Sequence, residues 1–387
     1  MSESTTIIAF DQHAQSVMAA VLGPGQAEPA LHALTSDLPA IGRFVRRVLE
    51  HGPVRCCYEA GPCGFALQRF LTAHDVPCEV IAPTLIPRRP GDRIKTDRRD
   101  ARQLALYRAG ALTPIHIPSE QEEAIRDLLR CREAMNADLL RARHRLKKFL
   151  LRHDRRYTQT KCAWGPRHTA WLRSLQWPLP ALEQTFGAYL RAVEETATRL
   201  AILDETVRTY FACEPFAEPV RRLRCFRGIS DLGALTIAAE LGDARRFPTA
   251  SRVMGFVGLV PSEHSSGTRR GRGAITKTGN AHLRRILLEA AWHYRHPPQV
   301  GVKLRERQRG AAPEVISRAW AAQHRLSRTY RRLTGRGRPP QIAVTAVARE
   351  LVGFVWATLA SRSDRSSAER RILDATMRSQ IHFWNSR

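Results

Sequence analysis

The chain has 387 residues and carries 62 Lys and Arg against 36 Asp and Glu, a formal charge of +26 with a pI of about 11.0. An excess this large draws polyanions through counterion release, with nucleic acid ahead of membrane surfaces and acidic proteins. No apolar run reads as long enough to span a bilayer, and MSESTTIIAFDQ has neither a basic n-region nor an apolar h-region, so a cytoplasmic, bacterial protein is expected.

Nearly all of the positive charge is Arg; the lysines are Lys95, Lys147, Lys148, Lys161, Lys277 and Lys303. Arg suits bidentate phosphate contacts, although a GC-rich genome would also favour it. The eight cysteines form no C-x-x-C pair and read as reduced thiols, without zinc-ligand spacing.

TTIIAF and SVMAAVLG read as two strands of a hairpin turning around Asp11 to Gln15. LPAIGRFVRRVLEHG reads as a helix ending at Gly52, VRCCYEA as a strand, GFALQRFLTAHD as a helix and PCEVIAP as a strand. TLIPRRPGDRIK has loop composition, a helix starts near Asp97, and LTPIHIP is a short extended piece. This alternation predicts a layered α/β domain over residues 1–118.

Ile125, Leu128, Met135, Leu139, Ala142, Leu146 and Phe149 keep a 3-4 spacing with Arg132 the one break, as do Leu182, Phe186, Tyr189, Val193, Thr196, Leu200, Leu203, Val207 and Tyr210, with Thr196 the only polar member. Spacing held this long predicts a coiled coil over 119–215, as an intrachain hairpin or a dimer seam, with two amphipathic helices on a globular domain as the alternative. The Trp- and Pro-rich stretch between them reads as irregular. From 216, LRCFRGISDLGALTIAAELG is helix, Gly turn, helix: either a helix-hairpin-helix that offers N–H groups to a phosphate or a plain αα-hairpin. SEHSSGTRRGRGAITKTGN reads as a loop able to lie along a nucleic-acid backbone, and three helices follow, the last two joined by TGRGRPP. A mainly α domain is expected over 216–365, and residues 366–387 read as a polar tail.

Four acids stand out. Asp11 follows one predicted strand, Glu59 ends a third, and Asp97 and Asp100 share one face of a predicted helix. Strand ends converge in a twisted sheet, and a helix across them can add two carboxylates, a set suited to Mg²⁺ and phosphodiester chemistry. Singly, each acid also reads as a cap or an Arg partner. Ser265 and Ser266 precede Gly267 and TRRGRG; a hydroxyl there could attack phosphorus, although Ser-Gly is also ordinary turn chemistry.

These residues resemble the IS110 family of insertion-sequence transposases, through FDQH at Asp11, YEAGPCG at Glu59, KTDRRDA at Asp97 and Asp100, RGISDLGALTIAAELGDARRF, GFVGLVPSEHSSG and GRGAITKTGNAHLRRILLEAA. The resemblance spans roughly residues 5–300; the usual Gly-Ile-Asp start is replaced here by Ala-Phe-Asp. It implies a RuvC-like (RNase H-like) N-terminal domain whose metal-binding tetrad is Asp11, Glu59, Asp97 and Asp100. It also implies a C-terminal domain whose nucleophile is Ser266, and a dimer or tetramer with a composite site. The family's structured bridge RNA pairs with donor and target DNA, so base pairing would read sequence while protein reads shape. Arg269, Arg270, Arg272, Lys277, Arg284 and Arg285 are the expected nucleic-acid contacts. The expected function is a Mg²⁺-dependent DNA recombinase working through a phosphoserine. The alternatives are a junction nuclease using water, or a non-catalytic nucleic-acid-binding protein.

Overall fold

The computed structural model describes residues 5–83, 114–160, 163–266 and 269–361, without the side chains of 264–266, 269, 270 and 272. Asp97 and Asp100, the helix expected around them, and the 366–387 tail lie outside the described residues. The chain divides into two compact units, Met1–Ser119 and Glu120–Arg387.

The first unit is an α/β sheet with helices. β1 (Thr6–Gln12), β2 (Ser16–Leu22) and β3 (Ala30–Thr35) run antiparallel, while β4 (Val54–Glu59) and β5 (Cys78–Ile81) run parallel to β1, in the order β3-β2-β1-β4-β5. The parallel pairs require crossovers. The β4–β5 crossover is made by α2 (Ala66–Thr72), and α1 (Leu38–Leu49) precedes β4. Asp37 caps α1, its Oδ2 accepting from Ala40 N at 2.9 Å, and Arg46 and Arg47 complement the dipole at the other end. Side chains alternate across a strand, so Ile8, Phe10, Cys56, Tyr58 and Val80 point to the layer holding Ile41, Val45, Leu67 and Leu71. Ile7, Ala9, Cys57 and Ile81 form a smaller cluster on the opposite face. The hairpin, α1, β4, α2 and β5 fall where the sequence placed them; β3 is an edge strand that it did not signal. ALHALT lies mostly exposed, so burial leaves it little period-2 contrast.

The second unit is mainly helical. α3 (Glu120–Arg152) and α5 (Pro180–Thr209) pack antiparallel within one chain, the Phe149 ring lying 6.5 Å from Phe186 near one end and Arg132 bonding Asp204 at 2.7 Å towards the other. Leu139, Leu146, Phe186, Val193 and Leu200 fill the seam, each full burial contributing roughly 1.5–3 kcal/mol. The intervening stretch, expected to be irregular, contains α4 (Pro166–Ser174), because Pro166 occupies a first-turn position where its missing N–H costs nothing.

The base of this hairpin joins the main core through Ile125, Leu129 and Val207. That core is built by α6 (Ala217–Leu223), α7 (Asp231–Leu241), α8 (Ala250–Val257), α9 (Ala281–Ala291), α11 (Pro313–Gly335) and α12 (Pro340–Ala360), while α10 (Val302–Gln308) contributes the separately buried Leu304. By length and composition α12 is apolar enough to cross a membrane, which corrects the expectation that no stretch is. Its residues, Val347, Leu351, Val355 and Ala357 among them, are buried in the core of this unit, and its acid Glu350 is bonded to Arg325 at 2.7 Å. An all-round apolar helix of this kind is what a central core helix requires.

Candidate active site

The β1–β4 register ends with Phe10 opposite Tyr58. Asp11 and Glu59 are the next residue on each strand, so they stand side by side at the carboxyl ends of neighbouring parallel strands, which run about 4.8 Å apart. Both share the parity of Ala9 and Cys57 and therefore project from the face opposite α1 and α2. Asp11 is 18 % exposed, and His13 Nε2 lies 3.5 Å from its Oδ2.

The GPCG turn ties these two strand ends together. Tyr58 Oη donates to Gly64 O at 3.0 Å, Ala60 N to Ile81 O at 2.8 Å, and the Cys63 thiol reaches Gln12 O at 3.7 Å. On the same face, Arg55 of β4 pairs with Glu79 of the neighbouring β5 at 3.0 Å.

Ser265 and Ser266 lie in β6 (Pro261–Ser266), which pairs antiparallel with β7 (Arg269–Ile275). This corrects the expected loop. Ser266 pairs with Arg269 and Ser265 with Arg270, so only Gly267 and Thr268 separate the strands, and a Gly-X dipeptide suits a two-residue hairpin connection. The Gly, Ser and Arg composition concealed this ladder. Ser266 thus ends its strand at the hairpin tip; its side chain, with those of Arg269, Arg270 and Arg272, lies outside the description.

The base of the hairpin is locked by two loops that cross. Gly258 and Gly279 have φ of +70° and +72°, and a Cβ on either would fall 2.0 Å from Thr278 O or Phe256 O respectively. Asn280 N donates to Phe256 O at 2.9 Å and Thr276 N to Val260 O at 2.9 Å. Lys277, with φ +56°, bonds Gly258 O through its backbone at 3.2 Å. Arg284 Nη1 donates to Val257 O at 2.8 Å and Thr278 O at 3.1 Å, and Arg285 pairs with Glu133 at 2.7 Å and Glu289 at 2.8 Å.

A buried acid that the sequence reading passed over anchors this region. Glu240 is 1 % exposed at its side chain; it accepts from Arg130 at 2.9 and 3.0 Å and from Asn280 Nδ2 at 2.7 Å. Asn280 Oδ1 in turn caps α9 by accepting from Leu283 N at 2.9 Å. Burial alone would raise the Glu240 carboxyl, but the bonds from Arg130 and Asn280 hold it below the usual carboxylate range. Its signal in the sequence was a lone acid inside the apolar run of α7.

Asp11 and Glu59 supply two hard oxygen donors fitted to a hard divalent ion. Among the described residues no group of three or more His, Cys, Asp or Glu side chains could hold a metal, and the other two expected carboxylates, Asp97 and Asp100, lie outside that set.

Residues 8–153 match the DEDD family model of IS110-type transposases, and residues 220–301 match the model described as "Transposase IS116/IS110/IS902 family". The chain is 41 % identical over 321 residues to the putative transposase y4qE of Sinorhizobium fredii (strain NBRC 101917 / NGR234), covering 82 % of this chain and 78 % of the relative. It is 34 % identical over 300 residues to the transposase for insertion sequence element IS1533 of Leptospira borgpetersenii, covering 76 % and 86 %. A probable family 20 transposase of Pseudomonas aeruginosa is 25 % identical over 343 residues, covering 81 % and 89 %. A DEDD domain implies a divalent metal ion, in keeping with the donors at the ends of β1 and β4. With both matches falling on the two units that carry the paired acids and the serine hairpin, the chain belongs to the IS110/IS116/IS902 family of transposases.

Proposed function

We propose that this transposase cuts and rejoins DNA through a covalent phosphoserine on Ser266, with Mg²⁺ held by Asp11, Glu59, Asp97 and Asp100 and with a structured bridge RNA choosing the sites. The observation that carries the reading is the register that sets Asp11 beside Glu59 on one sheet face. Mg²⁺ bound there would polarise the scissile phosphate.

The chain's own residues do the rest. Ser266 Oγ attacks phosphorus, the P–O bond to the departing strand breaks, and the serine proton ends on that strand's new hydroxyl. A hydroxyl of the receiving strand then attacks the phosphoserine, forming the new phosphodiester and returning the proton to Ser266. One phosphoester bond is exchanged for another, so no nucleotide cofactor is needed, in keeping with the lack of a GxxxxGK[ST] motif in the sequence. Arg269, Arg270, Arg272 and Lys277 line the chain beside the serine and would hold the strand through its phosphates, with Arg284 and Arg285 on α9 behind them. In a dimer or tetramer, the acids of one subunit would complete the site around the serine of another.

The test incubates the full chain with Mg²⁺, donor and target DNA and the RNA transcribed from DNA flanking the gene, and resolves the products on denaturing gels. A protein–DNA adduct is expected, absent in Ser266→Ala. An adduct that persists in Ser266→Ala removes the serine role, and free hydrolysed ends without any adduct favour a water-using nuclease.

A further inference from the structure

A second basic feature lies within the helical unit, away from the serine hairpin in sequence. A cavity of about 500 Å³ is lined by Arg227, Gly228, Ser230, His293, Gln299, Lys303 and Arg307, among others, and no acid is among its lining residues. Its size is in the range of sites that take nucleotide-sized groups, well above that of a bare ion.

The backbone around the cavity is built to be there. Gly228 has φ +83°, and a Cβ on it would fall 2.4 Å from Ala290 O, so the turn between α6 and α7 presses directly on α9. Ser230 caps α7, its Oγ accepting from Gly233 N at 3.1 Å. α10 is fastened to the same turn from the other side. Gln308 Nε2 donates to Cys225 O at 3.0 Å, Arg224 Nε to Arg307 O at 3.1 Å, and Arg307 Nη1 to Ile229 O. The nearby acid Asp231 pairs with Arg224 at 3.2 Å and also acts on Arg307.

The charges around the cavity are unbalanced. Arg227 spends one nitrogen on Pro297 O at 2.7 Å, and its remaining charge adds to those of Arg307 and Lys303. His293 is held below the usual histidine range, first by burial and then by Arg227, Arg295, His296 and Arg307. Behind the lining, Gln323 is 1 % exposed; its Oε1 accepts from Gln299 N at 3.0 Å, while its Nε2 has no partner. A lining that holds Arg227, Lys303 and Arg307 and no acid is the complement of an anion.

We propose that this cavity binds a backbone phosphate of nucleic acid, together with its sugar, as a second anchoring point remote in sequence from Ser266. The proposal rests on the reading of the chain as a DNA-acting recombinase but not on its serine chemistry.

The test measures binding of the full chain by fluorescence anisotropy across a salt series. The probes are a random-sequence DNA duplex, a single strand of equal length and an RNA hairpin. Lys303→Glu is expected to weaken binding several-fold regardless of base sequence and to lower the salt slope by about one or more. Arg227→Gln should act in the same direction. Arg305→Glu, on the same helix but outside the lining, is the charge-matched control and should have a smaller effect. The probe most affected by Lys303→Glu identifies which nucleic acid occupies the cavity. Equal losses in Lys303→Glu and Arg305→Glu, or no loss in either, overturn the proposal while leaving adduct formation to decide the serine mechanism separately. If the wild-type chain binds no probe, both readings fall.

Discussion

Gly258 and Gly279 each occupy space that the other's loop denies to a side chain: a Cβ on Gly258 would strike Thr278 O, and one on Gly279 would strike Phe256 O, both at 2.0 Å. The crossing fixes where β6 leaves α8 and where β7 enters α9, and so fixes the serine hairpin. Gly258→Ala and Gly279→Ala should each destabilise the helical unit by at least about 1–3 kcal/mol from the left-handed backbone alone, with backbone overlap adding to that. Thermal unfolding checks the prediction, and the double variant should cost less than the sum because the two sites share one contact.

Replacing Asp11 by Asn or Glu59 by Gln keeps size and polarity while removing a hard anionic donor. Strand cleavage should fall by at least on the order of 100-fold. The melting temperature should move little, since neither carboxylate belongs to the apolar clusters. Gel-based cleavage alongside differential scanning fluorimetry separates the two effects.

Tyr58→Phe deletes the bond from Oη to Gly64 O. A neutral bond of this kind contributes about 1 kcal/mol. The variant should fold, lose about that much stability, and cleave DNA more slowly because the turn after Glu59 is no longer tied down. An unchanged cleavage rate with reduced stability would show that the tie is structural only.

Glu240→Ala leaves Arg130 and Asn280 without their buried acceptor. The expected cost is about 2–3 kcal/mol, below the full figure for a dry ion pair because Arg130 is partly exposed. Urea denaturation measures it. Glu240→Gln should recover part of the loss by accepting one bond.

The same carboxylate makes a pH prediction. Glu240 and Glu133 are both held below the ordinary range. For each, burial pushes up and is outweighed, by Arg130 and Asn280 at Glu240 and by Arg285 and His282 at Glu133. A depressed folded value gives stability that is present above the unfolded value of about 4.3 and is lost as pH falls through the lower folded one. Melting temperature should therefore hold steady from neutral pH to about pH 5 and drop below about pH 4, with a shallower drop in Glu240→Gln.

Local pattern made much of this legible. β1, β2, β4 and β5 are short apolar, β-prone runs, α3 and α5 keep their 3-4 spacing over eight turns or so, and Asp11 and Glu59 end apolar strands. What escaped depends on distant pairing or on exposure. β3 is exposed along most of its length. β6 and β7 carry loop-like residues in a ladder that only pairing reveals. Glu240 meets Arg130 across 110 residues and Asn280 across 40. The apolar stretch in α12 escaped for another reason: Arg349 and Glu350 break the run, yet the helix around them is apolar enough to span a bilayer and is mostly buried in its unit.

The position of α12 has a consequence in time. It is the last helix described, and the core around α8, α9 and α11 closes only when Val347, Leu351 and Val355 arrive. The sheet of the first unit, by contrast, is complete by Ile81, with Ile115 and Ile117 packed on its core. At synthesis rates of about 5–20 residues per second, roughly 10–50 s separate the emergence of the two. A nascent chain therefore passes through an interval in which the acidic pair is already set and the serine hairpin has no finished platform; under the proposed serine mechanism no strand would be cut until α12 has emerged.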